Sequence, residues 1–301
     1  MVHLEKNQNH MKKRYFILLL LIAITIPFFS CSEDKVDEPM LIVKFQFNPN
    51  QVRLNNLGQP ATIATGNAAQ SPIFNTISAH YLEMAPNANT QLGAGTILYH
   101  APETNMGGAN AIDFSKSKIV SQGETFIKIP LSQVTAGSYE WMRVSLSYQN
   151  YKISVRNAGV DYAGTLASFV GFNTYINTFN IGNAIFPVNG NRAQGYWAFA
   201  LNDNPYSTSG QALPGSTTVP NPIEATSPIP RNLNSCVVTG KFATNLVING
   251  NETKDIVVTL SLSINNSFEW REVTIDGKYE PSIGENVVDM GLRGLLPTYV
   301  K

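Results

Sequence analysis

The sequence predicts an all-β protein, an antiparallel β-sandwich that carries one long Pro/Ser/Thr-rich loop. Three observations carry this prediction. Apolar and polar residues alternate at period two through the body of the chain, and the period-3.6 stripe of an amphipathic helix is missing there. Charged residues make up only 14% of the 301 residues, while Asn, Ser, Thr and Gly abound. That composition suits strands and turns better than charged helices. Asn-Gly and Asp-Gly pairs, which tolerate positive φ, punctuate the apolar runs.

In chain order, LIVKFQF (41–47) opens the domain, and FIKIPL (126–131) sets Ile127, Ile129 and Leu131 on one face. In the run from Tyr139 to Tyr148, the residues Met142, Val144, Leu146 and Tyr148 form an apolar face. Tyr139, Trp141 and Arg143 then share the face that continues as Ser145 and Ser147. In GYWAFAL (195–201), Trp197 aligns with Phe199 and Leu201 and is expected in the core. Cys236 shares its parity with Val238, Phe242 and Leu246, which predicts a buried, inert thiol. IVVTLSLSI (256–264) is the cleanest alternation, with one side for a core and one for water. Asn189-Gly190, Asn249-Gly250 and Asp276-Gly277 are expected as tight turns between strands. A dozen or so short strands result, with Trp270 left without a placement because the apolar parity around it is mixed.

The stretch 202–234 holds six prolines (205, 214, 220, 222, 228 and 230) and little periodicity. A stretch of that length suggests a functional loop or a linker, and a long insertion loop is expected. The three or four strands after it are too few for a second sandwich, so they are expected to complete sheets begun earlier. A single domain at 41–301 follows.

The N-terminus reads as an address. Lys12-Lys13-Arg14 precedes a fifteen-residue apolar run, Tyr15 to Phe29, the anatomy of a secretory signal. As a helix rising ~1.5 Å per residue it would reach only ~22 Å, short of a ~30 Å hydrocarbon core. A helical signal segment at 1–30 is expected to be removed, with residues 1–10 an upstream extension and Met11 the start. Ser30-Cys31, directly after the apolar run, resembles the lipobox of bacterial lipoproteins. That resemblance implies acylation of Cys31, and several acyl chains on one residue make a stable bilayer anchor. The acidic stretch Ser32–Pro39 belongs to a flexible, solvated tether at 31–40. It resembles the export signal of surface lipoproteins in Bacteroidota, which implies an outer-membrane protein facing the cell exterior. With Cys31 acylated, Cys236 has no partner, so no disulfide is expected.

Lys and Arg total 21 against 21 Asp and Glu, with no basic block, which argues against a nucleic-acid partner. The signatures G-x-S-x-G, H-E-x-x-H and C-x-x-C and the Gly-rich phosphate loop are missing. A catalytic carboxylate pair needs no sequence adjacency; Glu83, Glu103, Asp113, Asp161 and Asp203 are available and nothing singles out two. A surface carbohydrate-active enzyme therefore stands only as a further alternative, with no catalytic residue assigned and no cofactor required. Tyr139, Trp141 and Arg143 have the composition of a contact site for a glycan or a protein, and a non-catalytic binding module is the leading expectation.

The mature chain has two histidines, His80 and His100, with Glu83 and Met84 near the first and Met106 beyond the second. Imidazole with thioether suits copper, and this reading requires the two imidazoles to converge. Three stretches, 129–148, 191–201 and 245–264, are similar to segments of the copper-binding MbnP-like β-sandwich lipoproteins. The resemblance implies the sandwich fold and, as an alternative function, copper binding. The Trp-rich signature of that family and its matched histidine ligand have no counterpart in this chain.

Overall fold

Alternation in the first apolar run buries Leu41, Val43, Phe45 and Phe47 along one side of a strand, β1 (Met40–Asn48). The computed structural model describes residues 38–55, 57–212, 236–290 and 292–301. The signal segment, Cys31, the tether before Glu38 and the loop from 213 onward lie outside the described residues. The chain continues with β2 (Asn67–Gln70), β3 (Ile73–Ala85), β4 (Thr96–His100), β5 (Glu103–Thr104) and β6 (Ala111–Asp113). Next come β7 (Thr125–Pro130), β8 (Gly137–Asn157), β9 (Val160–Phe169), β10 (Asn173–Ile181), β11 (Ala184–Ala193), β12 (Tyr196–Leu201) and β13 (Ser207–Gln211). After the loop follow β14 (Cys236–Ile248), β15 (Ile256–Ser263), β16 (Phe268–Arg271), β17 (Val287–Met290) and β18 (Leu295–Val300). Only strands and single 3-10 turns occur among the described residues, and no helix there is long and apolar enough to cross a membrane.

A seven-stranded sheet ordered β13-β12-β9-β8-β3-β4, with β14 also paired to β8, forms the centre. Facing it is the sheet β18-β15-β1-β7. The main core lies between them, joining Leu41, Val43 and Phe45 of β1 and Val258, Leu260 and Leu262 of β15 to Met142, Val144 and Leu146 of β8. Two smaller sheets cover the rest: β11-β10-β6-β5 packs on Tyr148, Phe169 and Tyr196, and β17-β16-β2 on Tyr151, Ile153 and Leu166. The pairings are antiparallel except for β1 with β15 and β6 with β10. The strands after the long loop do complete earlier sheets, since β14 pairs β8, β15 pairs β1 and β16 pairs β2.

Cys236 is a free, buried thiol in the main core with Val238, Phe242 and Leu246. A disulfide typically contributes ~2–4 kcal/mol, and each fully buried Leu, Ile, Val or Phe ~1.5–3 kcal/mol. A few of the thirty residues of this core offset the missing crosslink.

Several local expectations need correction. Asn189 does have positive φ, but it sits inside β11 and makes no hairpin turn. Residues 207–211 of the expected loop form β13, which pairs with β12. After Arg271 the Asp276-Gly277 turn leads into irregular chain and a 3-10 turn at Pro281–Ile283, with no strand at KYE. Trp270 is fully buried against Phe268 and Tyr279.

The apolar face assigned to β8 is also broken. Ser78 pairs with Tyr148 while Ala79 pairs with Leu146, so Ser147 is an extra residue in β8. That bulge turns Tyr148 to the opposite side of the sheet from Leu146, into a different core.

Candidate functional site: a histidine–histidine–glutamate cluster

One step along the same pairing, Ala79 faces Leu146 and Tyr81 faces Ser145, which leaves His80 as an extra residue in β3. A bulge re-aims side chains and is common beside functional sites. Here it puts His80 and Tyr81 on the same side of the central sheet, away from Ala79 and Leu82 in the main core. β4 pairs beside β3 with His100 opposite Tyr81. The chain then turns at Ala101-Pro102, and the amide of Ala101 donates to the His80 carbonyl at 2.7 Å. Glu103 begins β5 immediately after the corner.

The result is a tight cluster of three donor atoms. His80 Nε2 lies 2.8 Å from Glu103 Oε1 and 3.1 Å from His100 Nε2, and His100 Nε2 lies 3.3 Å from the same carboxylate oxygen. An ion bound tetrahedrally at 2.0–2.1 Å sets its ligand atoms about 3.3 Å apart. The cluster is therefore within a few tenths of an ångström of a facial set of three ligands. Among the described residues it is also the one group of three or more His, Cys, Asp or Glu side chains close enough to share an ion.

The surroundings favour the ligand forms of His80 and Glu103. His80 is fully buried, its ring 5.2 Å from that of Phe172, and burial lowers its pKa despite the adjacent Glu103. The hydrogen bond from His80 holds the Glu103 carboxyl down at about 2, against the opposing effect of burial. Neutral imidazole and ionised carboxylate are the states in which these side chains ligate metals. Glu103 Oε2 accepts from Asn110 Nδ2 at 2.7 Å, and Asn173 of β10 donates to the Asn110 carbonyl at 2.9 Å. This outer layer fixes the carboxylate. His80 Nδ1 is buried with no partner, so the protein supplies no such support to that ring. The His100 side chain is 49% exposed, which leaves one side of the cluster open.

The two histidines singled out in the sequence thus converge, while the thioethers expected with them do not join. Met84 is buried in the main core and Met106 is 69% exposed. Glu83 is committed elsewhere. It accepts from Tyr81 Oη and from the amides of Gly93 and Gly95, and it faces Arg143 at 3.6 Å. The donor set is two nitrogens and one oxygen, which suits borderline divalent ions such as copper(II) and zinc better than copper(I). The third donor, Glu103, had a usable signal in the spacing His100-x-Pro-Glu103: a corner at Pro102 returns the fourth residue to the first.

The contact trio is corrected by the structure. Tyr139 is buried in the main core, with its hydroxyl paired to Thr96 and to the Thr135 carbonyl. Arg143 is buried behind Glu83 and donates to the Thr90 carbonyl at 2.7 Å. Only Trp141 is partly exposed, so the three do not form an open contact face. Trp197, expected in the core, is partly exposed and lines a cleft.

Comparison of the chain with known protein families, characterised proteins and solved structures finds no match in any of the three.

Proposed function

We propose that the protein is a lipid-anchored, non-enzymatic metal-binding module of the outer membrane, exposed to the cell exterior, that holds one divalent first-row transition ion on His80, His100 and Glu103. The observation carrying this reading is the set of 2.8, 3.1 and 3.3 Å separations among three donor atoms from different strands. Ordinary hydrogen bonding would satisfy His80 with Glu103 alone. His100 then brings a third donor to the same carboxylate oxygen, at 3.3 Å. The lipobox-like Cys31 and the acidic tether support the anchored location.

The test is calorimetric titration of chelator-stripped protein with zinc and copper(II), with magnesium and calcium as controls. One equivalent of zinc or copper(II) is expected to bind, and neither control ion. Glu103→Gln, which keeps the size of the side chain and removes its charge, is expected to weaken binding at least tenfold. Failure of both transition ions to bind the wild-type chain, or equal binding by Glu103→Gln, would overturn the reading.

A further inference from the structure

The cluster sits at the β4 edge of the central sheet. At the opposite edge, where β12 and β13 meet the chain from Tyr279 to Met290, there is a cleft of about 1000 Å³. β4 and β12 are four strand spacings apart, about 19 Å at ~4.8 Å each, so the cleft is a separate site. Its volume is at the upper end of small-ligand sites.

Two features bring aromatic rings to the floor of the cleft. Trp197 and Phe199 are alternate residues of β12 and point to the same side. Gly210 pairs directly opposite Trp197 on β13, and a Cβ there would come within 2.8 Å of the indole. Gly164, on the β9 side, would likewise bring a Cβ within 2.2 Å of the Phe199 ring. Each ring therefore rests on a glycine of a neighbouring strand and lines the cleft. Tyr162 and Tyr206 stand at the lips, 38% and 56% exposed.

The polar groups of the cleft are neutral or already engaged. Its two charged side chains, among the described residues, are Arg156 and Glu285. Arg156 is paired to Asp161 at 2.7 Å and to Asp276 at 2.9 Å. Glu285 accepts from the amides of Val273, Thr274 and Glu280. Asn157, Thr208, Ser282 and the hydroxyls of Tyr162 and Tyr206 also line the cleft, and none has a side-chain hydrogen-bond partner among the described residues. An ionic ligand would find no counter-charge here. A purely apolar ligand would leave amides and hydroxyls without use. A pyranose matches both parts, with an apolar C–H face for the rings and hydroxyls for the amide and hydroxyl rim.

We infer that this cleft binds a neutral oligosaccharide stacked on Trp197, independently of any metal at the histidine cluster. The test is calorimetric titration of the intact chain with neutral hexasaccharides of β-1,4-glucan, xylan, mannan and α-1,4-glucan, and with a hexagalacturonate as the anionic control. At least one neutral hexasaccharide is expected to bind saturably. Trp197→Ala should weaken it at least tenfold and the lip variant Tyr206→Ala severalfold, while Trp141→Ala and His100→Ala leave it unchanged. No binding by any neutral member at millimolar concentration would overturn the inference, as would binding that survives both cleft variants or equal binding of the galacturonate. So would sugar binding gained only when residues 213–235 are replaced by a Gly-Ser link, because the cleft would then belong to the chain's own segment.

Discussion

The histidine cluster makes a prediction in which a nearly silent substitution removes a large effect. His100 is half-exposed, and its ring touches the cluster only from the outside. Substitution of a residue this exposed changes stability by at most ~0.5–1 kcal/mol, because His80 keeps its 2.8 Å contact with Glu103. Loading the wild-type site is different. At free ion a hundredfold above the dissociation constant, linkage adds ~2.7 kcal/mol to the folded state. For a domain of this length each kcal/mol moves Tm by roughly 2–4 °C, so the loaded protein should melt roughly 5–10 °C higher. Losing even an outer-layer partner weakens metal sites 10–100-fold, and a direct donor counts for at least as much. In His100→Ala the same ion concentration would then supply only ~0.4–1.4 kcal/mol. The assay is thermal unfolding of both proteins, stripped and then supplied with zinc or copper(II). Metal-free melting points within a few degrees are expected, with at least half of the metal-induced shift lost in the variant. Equal shifts in the two proteins, or no shift in either, would refute the reasoning.

Three further outcomes follow from buried groups. His80 and Glu103 both have pKa values lowered on folding, so the unfolded chain takes up protons first. Their stabilising contribution is complete above about pH 6.5 and falls as the pH drops through the unfolded His value, then through the range from the usual Glu value of about 4.3 to about 2; urea midpoints measured from pH 7 to 3 should decline accordingly, and His80→Phe should flatten the upper part. Glu83→Gln leaves the buried Arg143 without its counter-charge and is expected to cost ~3–5 kcal/mol, read as a lower denaturation midpoint with faster amide exchange at Gly93 and Gly95. Burial pushes the Cys236 thiol up to about 12, so the native protein should resist a thiol reagent at pH 8 that labels it fully in denaturant.

The elements legible in the sequence are those whose alternation runs unbroken. β1 and β15 show it, because each presents one regular side to the main core, whereas the extra residue Phe126 interrupts β7 and both it and Ile127 enter that core. β8 misleads, since its register changes at Ser147 and the residues beyond belong to other cores. A bulge is defined by the partner strand, and β3 lies some sixty residues earlier. The same holds for the site. His80 and His100 stand out by residue type, but their convergence depends on the bulge in β3 and the turn at Pro102. The Tyr139–Arg143 trio fails for the complementary reason. Its parity is visible in the chain, while the hairpin containing Thr90 and the side chain of Glu83 that cover Arg143 come from elsewhere.

The parallel pairing of β1 with β15 also bears on how the molecule comes into being. Leu41 lies beside Ile256, so one edge of the first strand waits for the last fifth of the chain. That edge stays open until nearly the whole chain has been delivered to the compartment where it folds. Contacts this distant in sequence also slow the folding of β proteins. β1 has β7 as its other neighbour, but the main core has no β15 wall until the C-terminal strands arrive. The domain therefore closes late and as a whole, with its N-terminal strand among the last pieces to be locked in place.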